Sequence, residues 1–172
     1  DLNIADAVAT TRYSVGGVTY TRKTFASLQD GVVVMRIEAS EAAKLNMSLS
    51  FDSPFEHNVT AKKNQLHVAV RNVGHEGVPA SLTAQCVIRV MADGKTVAGK
   101  NTLDVSGATA ATIIVSAATN FVNYHDVSGN ALKKAESYLK AAAGKPYTEL
   151  LDRHTTAYKR QYARVSLTLP EG

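Results

Sequence analysis

The hydrophobic period of this chain changes once, and that change limits what it can fold into. Up to about residue 118, apolar and polar residues alternate at period two, the pattern of half-buried strands. Thr11, Tyr13 and Val15 alternate with Arg12 and Ser14, and Gly16-Gly17 supplies the positive φ of a tight hairpin turn before Val18–Phe25 returns. Strands are expected at Val32–Ala39, Leu45–Phe51, Gln65–Arg71, Leu82–Met91, Lys95–Ala98, Asn101–Val105 and Thr109–Ala117, with Asp30-Gly31 and Asp93-Gly94 as turns. One face of Leu45–Phe51 is expected to be buried. Asn72–Ala80, with Gly74, Gly77 and Pro79, reads as a loop, where binding is commonly built on sandwiches.

From residue 130 the period is helical. Leu132, Ala135, Leu139 and Ala142 recur on one face after the capping candidates Ser128-Gly129-Asn130, and Gly144 suits a left-handed residue closing the helix. That apolar face is expected to bury, leaving Lys133, Lys134 and Lys140 in water. Pro146 opens a second helix with Leu150 or Leu151, His154, Tyr158 and Tyr162 on one stripe, and Val165–Leu169 reverts to alternation. The expected class is therefore mainly β, an antiparallel β-sandwich with two C-terminal α-helices. It divides into a sandwich at 1–127, a helical linker at 128–164 and a strand at 165–172.

Composition excludes several function classes. At 172 residues with 45% hydrophobic content the chain can bury a core, and no apolar run reaches the roughly 20 residues of a membrane span. A single cysteine, Cys86, excludes an internal disulfide and reads as a buried, inert thiol on a strand. The net charge of +4 is concentrated in Ala131–Arg164, where eight Lys or Arg face three Asp or Glu. Without a reader motif or interleaved aromatics this patch reads as a solvated helix face, or as one turned toward an acidic partner domain, rather than as a nucleic-acid site.

Motifs for chemistry are sparse. His57, His67, His75, His125 and His154 show no metal-ligand spacing, so no metal or other cofactor is expected. No nucleophile elbow, phosphate loop or dinucleotide fingerprint occurs. Glu38, Asp52, Glu56, Asp93, Asp104 and Asp126 are carboxylates, but spacing places no two of them as an acid/base pair.

Several short stretches, taken in order, resemble one family. Asp1-Leu2-Asn3, Val8–Tyr13, Gly17–Arg22, Phe25-Ala26-Ser27, Leu49–Pro54, Ala118-Thr119-Asn120-Phe121, and His154 and Tyr158 followed by Arg164-Val165, Leu167 and Leu169 resemble the N-terminal β-sandwich of glycoside hydrolase family 95, the inverting α-L-fucosidases. Ala157 stands where that family commonly has Asp, and Tyr162 falls near an expected Phe.

The resemblance implies a galactose-mutarotase-like supersandwich whose first strands precede Asp1, and an (α/α)6 barrel after Gly172. It places catalysis in that barrel, so no catalytic residue is assigned here. The implied partner is the barrel of the same parent chain, the implied substrate of the parent is a fucosylated or α-L-galactosylated glycan, and the implied location of the parent is periplasmic or extracellular. Thr119, Asn120, His154 and Tyr158 are the candidates for binding or for the barrel interface. On that reading, Asn120→Ala lowers the activity of the full enzyme and leaves the melting temperature of residues 1–172 nearly unchanged. The alternative is an independent carbohydrate-binding or adhesion module, against which stand the absence of Trp and an aromatic content of 6%.

Overall fold

The computed structural model describes residues 1–167. Eleven strands and two helices follow in chain order: β1 (Leu2–Asn3), β2 (Val8–Val15), β3 (Val18–Ser27), β4 (Val32–Ala39), β5 (Leu45–Leu49), β6 (His57–Lys62), β7 (Gln65–Arg71), β8 (Thr83–Ala92), β9 (Lys95–Ala98), β10 (Leu103–Ala108), β11 (Ala110–Thr119), α1 (Ala131–Ala143) and α2 (Tyr147–Tyr162). Eight strands form one antiparallel sheet in the order β1-β2-β3-β4-β11-β8-β7-β6, and β5-β10-β9 form a second. The small sheet covers one face of the large sheet and the helices cover the other.

Alternation along the central strands supplies both layers. Ile37, Leu66, Val90 and Ile113 point toward Leu45, Leu103, Val105 and Ala108 of the small sheet. Their neighbours Phe25, Val34, Val87 and Ile114 point the other way, toward Ala135, Leu139, Ala142 and Leu150. Because β11 is covered on both faces, its middle reads as the unbroken apolar run Ile113-Ile114-Val115.

The expected hairpin forms between Val15 and Val18, with φ of 57° at Gly16 and 85° at Gly17. Gly94 is required for a different reason. A Cβ there would lie 2.5 Å from both the Ala108 nitrogen and the Ser106 carbonyl oxygen.

Several expectations are corrected. β6 was not foreseen, because His57–Lys62 is an edge strand with only Val59 and Ala61 turned to the core. Leu132 is 38% exposed rather than buried. The buried face of α1 is Ala131, Ala135, Leu139 and Ala142, and Leu132 lies just past its edge, about 20° round from Leu139. Lys133, Lys134 and Lys140 are exposed as expected. Asn130 caps α1 through Oδ1, 2.9 Å from the Lys133 N–H. Gly144 closes α1 at φ −82°, in the right-handed region, so no left-handed cap forms. Of the expected last strand, Val165–Leu167 carry no strand pairing, and residues 168–172 lie outside the described residues.

Small residues bring α1 close enough for a buried hydrogen bond from Ser116 Oγ to the Ala135 carbonyl, 2.8 Å. A second polar tie holds α2. Asp30, in the β3–β4 turn, has a side chain only 2% exposed. It accepts hydrogen bonds from Arg153 Nε and Nη2 at 3.0 and 2.9 Å and from Ser27 Oγ at 2.9 Å, with Lys145 Nζ 3.7 Å away. Burial alone would raise this carboxyl, but Arg153, Ser27 and Lys145 outweigh it and hold it below the usual carboxylate range.

The small sheet is narrower than the large one, and it leaves a trough of about 610 Å³ beside β5. Tyr13, Tyr20, Met35, Ile88 and Val115 form an apolar floor, and Met47 and Leu49 of β5 are half-buried along its wall. This open side is why only Leu45 of that strand is fully buried.

Leu139→Ala is expected to cost about 2–5 kcal/mol in urea denaturation, through lost transfer energy and a residual cavity. Arg153→Ala is expected to lower the urea midpoint, because it leaves the buried Asp30 carboxylate without its two-pronged partner. The Asp30 contribution is complete above the unfolded-chain value of about 3.9 and is lost as pH falls through the lower folded value. Asp30→Asn should therefore show a flatter stability profile than the parent below about pH 4.

Candidate functional site

At the end of β11 the sequence Thr119-Asn120 leaves the sheet, and the Asn120 side chain makes three of the four hydrogen bonds its amide permits. Its Oδ1 accepts from the Thr83 N–H at 2.9 Å, while Nδ2 donates to the carbonyls of Ser81 at 3.0 Å and Val127 at 2.8 Å. Its backbone N–H reaches the Thr83 carbonyl at 3.2 Å, and its carbonyl accepts from Gly129 at 2.9 Å. One residue thus clasps the segment before β8 to the segment before α1. Thr119 pairs in register with Ala84, and its Oγ1 accepts from the Phe121 N–H at 3.4 Å.

The two clasped loops are tight turns with apolar side chains on the outside. His75 and Val78 pair across one, and Asn123 and Asp126 across the other. Asn123 Oδ1 accepts from His125, and Asp126 Oδ1 accepts from Ser128 at 2.8 Å. The Ser128 side chain and N–H hold the Asp126 carboxyl below its ordinary range. Around them Val78, Phe121, Val122 and Tyr124 are exposed, Tyr124 by 85% and Phe121 by 49%. These ordered turns thus hold large apolar groups in solvent.

His154 and Tyr158 are placed elsewhere. The buried His154 ring stacks on Phe25 at 4.7 Å between centroids and lies 6.1 Å from Tyr158. Its Nε2 stands 3.0 and 3.1 Å from the carbonyls of Asp6 and Ala7, so two acceptors fix the proton on that nitrogen. Tyr158 Oη donates to the Ile4 carbonyl at 2.8 Å, and Lys159 pairs with Asp6 at 2.7 Å. These side chains clamp residues 4–7 to α2. The structure brings His154 and Tyr158 together and Thr119 and Asn120 together, but among the described residues no hydrogen bond or ring contact joins the two pairs.

Several of the remaining titratable candidates are engaged in local structure. Glu38 pairs with Arg36, Asp52 lies 3.7 Å from His57 Nε2, and Asp104 accepts from Thr102 at 3.4 Å. Asp93 is held low by the N–H groups of Ala110 and Thr109. Cys86 is half-buried, and burial pushes its thiol up, away from the reactive thiolate. Among the described residues no three His, Cys, Asp or Glu gather as a metal site. Sequence reasoning missed Phe121 and Val122 as exposed apolar groups. The available signal was large apolar residues in a stretch with no period.

Residues 1–124 match the family model for the glycosyl hydrolase family 65 N-terminal domain. The chain belongs to this family. It is 26% identical to alpha-L-fucosidase 2 of Arabidopsis thaliana over 194 aligned positions, which take in 98% of this chain and 23% of that protein. A protein described as a kojibiose phosphorylase from the human microbiome has the same fold, with a TM-score of 0.60 at 13% identity over 94% of this chain and 22% of its own. The chain thus spans less than a quarter of either relative. As a glycosyl hydrolase family 65 N-terminal domain it is consistent with an accessory domain.

Three hydrogen bonds from one side chain alter the expectation for Asn120. Asn120→Ala leaves a partly buried N–H and two carbonyls unpaired, so residues 1–172 should lose about 1–3 kcal/mol rather than melt unchanged. Hydrogen exchange should quicken in 72–82 and 121–129 and stay unchanged in the β2–β3 hairpin.

Proposed function

We propose that this chain is a non-catalytic N-terminal accessory domain of a glycoside hydrolase that releases terminal α-L-fucose, or α-L-galactose, from glycans with inversion. The observation that carries the reading is the Asn120-clasped loop end. Five hydrogen bonds at this residue order two turns, one presenting Val78 and the other Phe121, Val122 and Tyr124 to solvent. Such a surface gains stability only when something covers it. In the proposal the cover is the catalytic (α/α)6 barrel of the same parent chain, and Thr119 and Asn120 shape the contact. His154 and Tyr158 set the helix layer from which the chain continues.

Fucose specificity is supported by the plant alpha-L-fucosidase 2, whose alignment runs along 98% of the chain. Assignment to glycoside hydrolase family 95, the mutarotase-like supersandwich, the sandwich, linker and strand divisions, and an extracellular or periplasmic location of the parent rest on the resemblance in the sequence stretches named above. The acid/base chemistry then lies outside residues 1–172, in keeping with carboxylates that serve local structure here. The binding-module alternative draws on one observation, the exposed ring of Tyr124. Glycan-array binding by residues 1–172 would favour it.

Residues 1–172 alone should release no chromophore from an aryl α-L-fucoside, whereas the full parent should. Val122→Asp should change the stability of residues 1–172 by less than about 0.5 kcal/mol, because the side chain is already exposed. In the full parent it should lower both melting temperature and specific activity. Turnover by residues 1–172, or a parent indifferent to Val122→Asp, would contradict the reading.

A further inference from the structure

The register of the large sheet lines up one transverse row of side chains on its helix-covered face. Lys62 pairs with Gln65, Gln65 with Arg89, Arg89 with Ile114, and Ile114 with Val34. α1 covers the apolar half of this row, Ile114 and Val34. β7 and β6 extend past the helix, so the polar half lies on an open shelf with α1 as one wall and the β6–β7 turn as the other. Two adjoining cavities of about 560 and 390 Å³ occupy this corner, and Gln65 and Arg89 line both.

The charge of the corner is one-sided. Lys62 and Lys63 stand at the hairpin wall, Lys140 on the helix wall and Arg89 on the floor, against Glu136 as the one carboxylate lining either cavity. None of these four cations forms an ion pair among the described residues, whereas Asp6, Asp30 and Glu38 elsewhere each hold a cation. Arg89 Nε is buried and makes no hydrogen bond. A guanidinium donor sealed from solvent without an acceptor is costly, and an incoming anion with oxygen acceptors offsets that cost. Gln65 contributes too: its Oε1 stands 3.2 Å from His67 Nε2, leaving its amide N–H₂ free to donate.

The geometry points to this corner as a binding site for a ligand bearing an oxyanion, a carboxylate, sulfate or phosphate group, held by Arg89 and flanked by Lys62, Lys63 and Lys140. It is independent of the interface proposed at Asn120, which lies in other loops. The space exceeds that of a bare ion and accommodates a sugar-sized body attached to the anionic group.

The test is titration of residues 1–172, followed by amide chemical shifts, with inorganic phosphate, sulfate, glucuronate and neutral glucose in parallel. The expected result is saturable shifts at Gln65, Arg89 and Lys140 with at least one anion and none with glucose, weakening as salt is added. Tighter binding of glucuronate than of the inorganic ions identifies an acidic sugar; the reverse identifies a free or terminal phosphate or sulfate. Arg89→Gln should weaken binding by roughly tenfold or more, the loss of one charge-assisted hydrogen bond. Lys62→Gln with Lys63→Gln, at exposed positions that leave the fold intact, should weaken it as well. No saturation with any anion, or affinity unchanged in both variants (an adventitious ion only), would overturn the proposal.

Discussion

The helix layer of this domain hangs on one carboxylate. Asp30 sits in a two-strand turn, yet it gathers Ser27 from its own strand, Arg153 from the middle of α2 and Lys145 from the link between the helices. Apolar packing of Leu139 and Leu150 is non-directional and would tolerate a helix that slid along the sheet. The two-pronged guanidinium contact is directional and fixes where α2 stops. With α2 placed, His154 falls over Phe25 and Tyr158 reaches Ile4.

Most of the fold was legible because the strongest signals were local. The Gly16-Gly17 turn, the exact span of β4 at Val32–Ala39 and the asparagine cap of α1 each follow from a few adjacent residues. What escaped depends on neighbours distant in sequence. His57–Lys62 is a strand only because β7 lies beside it, and its polar outer face gives little alternation to read. Leu132 matches the helical period but lies on the rim of a stripe narrowed by alanines. The glycine after α1 was present as expected, but the chain passes through it in a right-handed conformation into Pro146.

The candidate site was legible as an address rather than as a mechanism. Asn120 stood out as the residue where the sheet pattern ends, but its three partners at 81, 83 and 127 come from segments that no local pattern connects to it. His154 and Tyr158 shared a helical face as read, and their partners are carbonyls of residues 4, 6 and 7, which a sequence does not label. Both extra surfaces have one origin: the large sheet is wider than what covers it. Its uncovered flank is apolar beside β5 and basic beside β6.

The clamp between α2 and the first residues also dictates an order of events. The bonds from His154 to Asp6 and Ala7 join positions 148 and 147 apart, and that from Tyr158 to Ile4 joins positions 154 apart. Long-range closures of this kind come late, because loop entropy must be overcome before the contact rewards it. During synthesis residues 8–39 emerge long before Arg153 and His154 have left the ribosome. The leading segment and the helix-facing side of β3, Phe25 included, wait uncovered until the last helix arrives, so this domain closes from its end back onto its beginning.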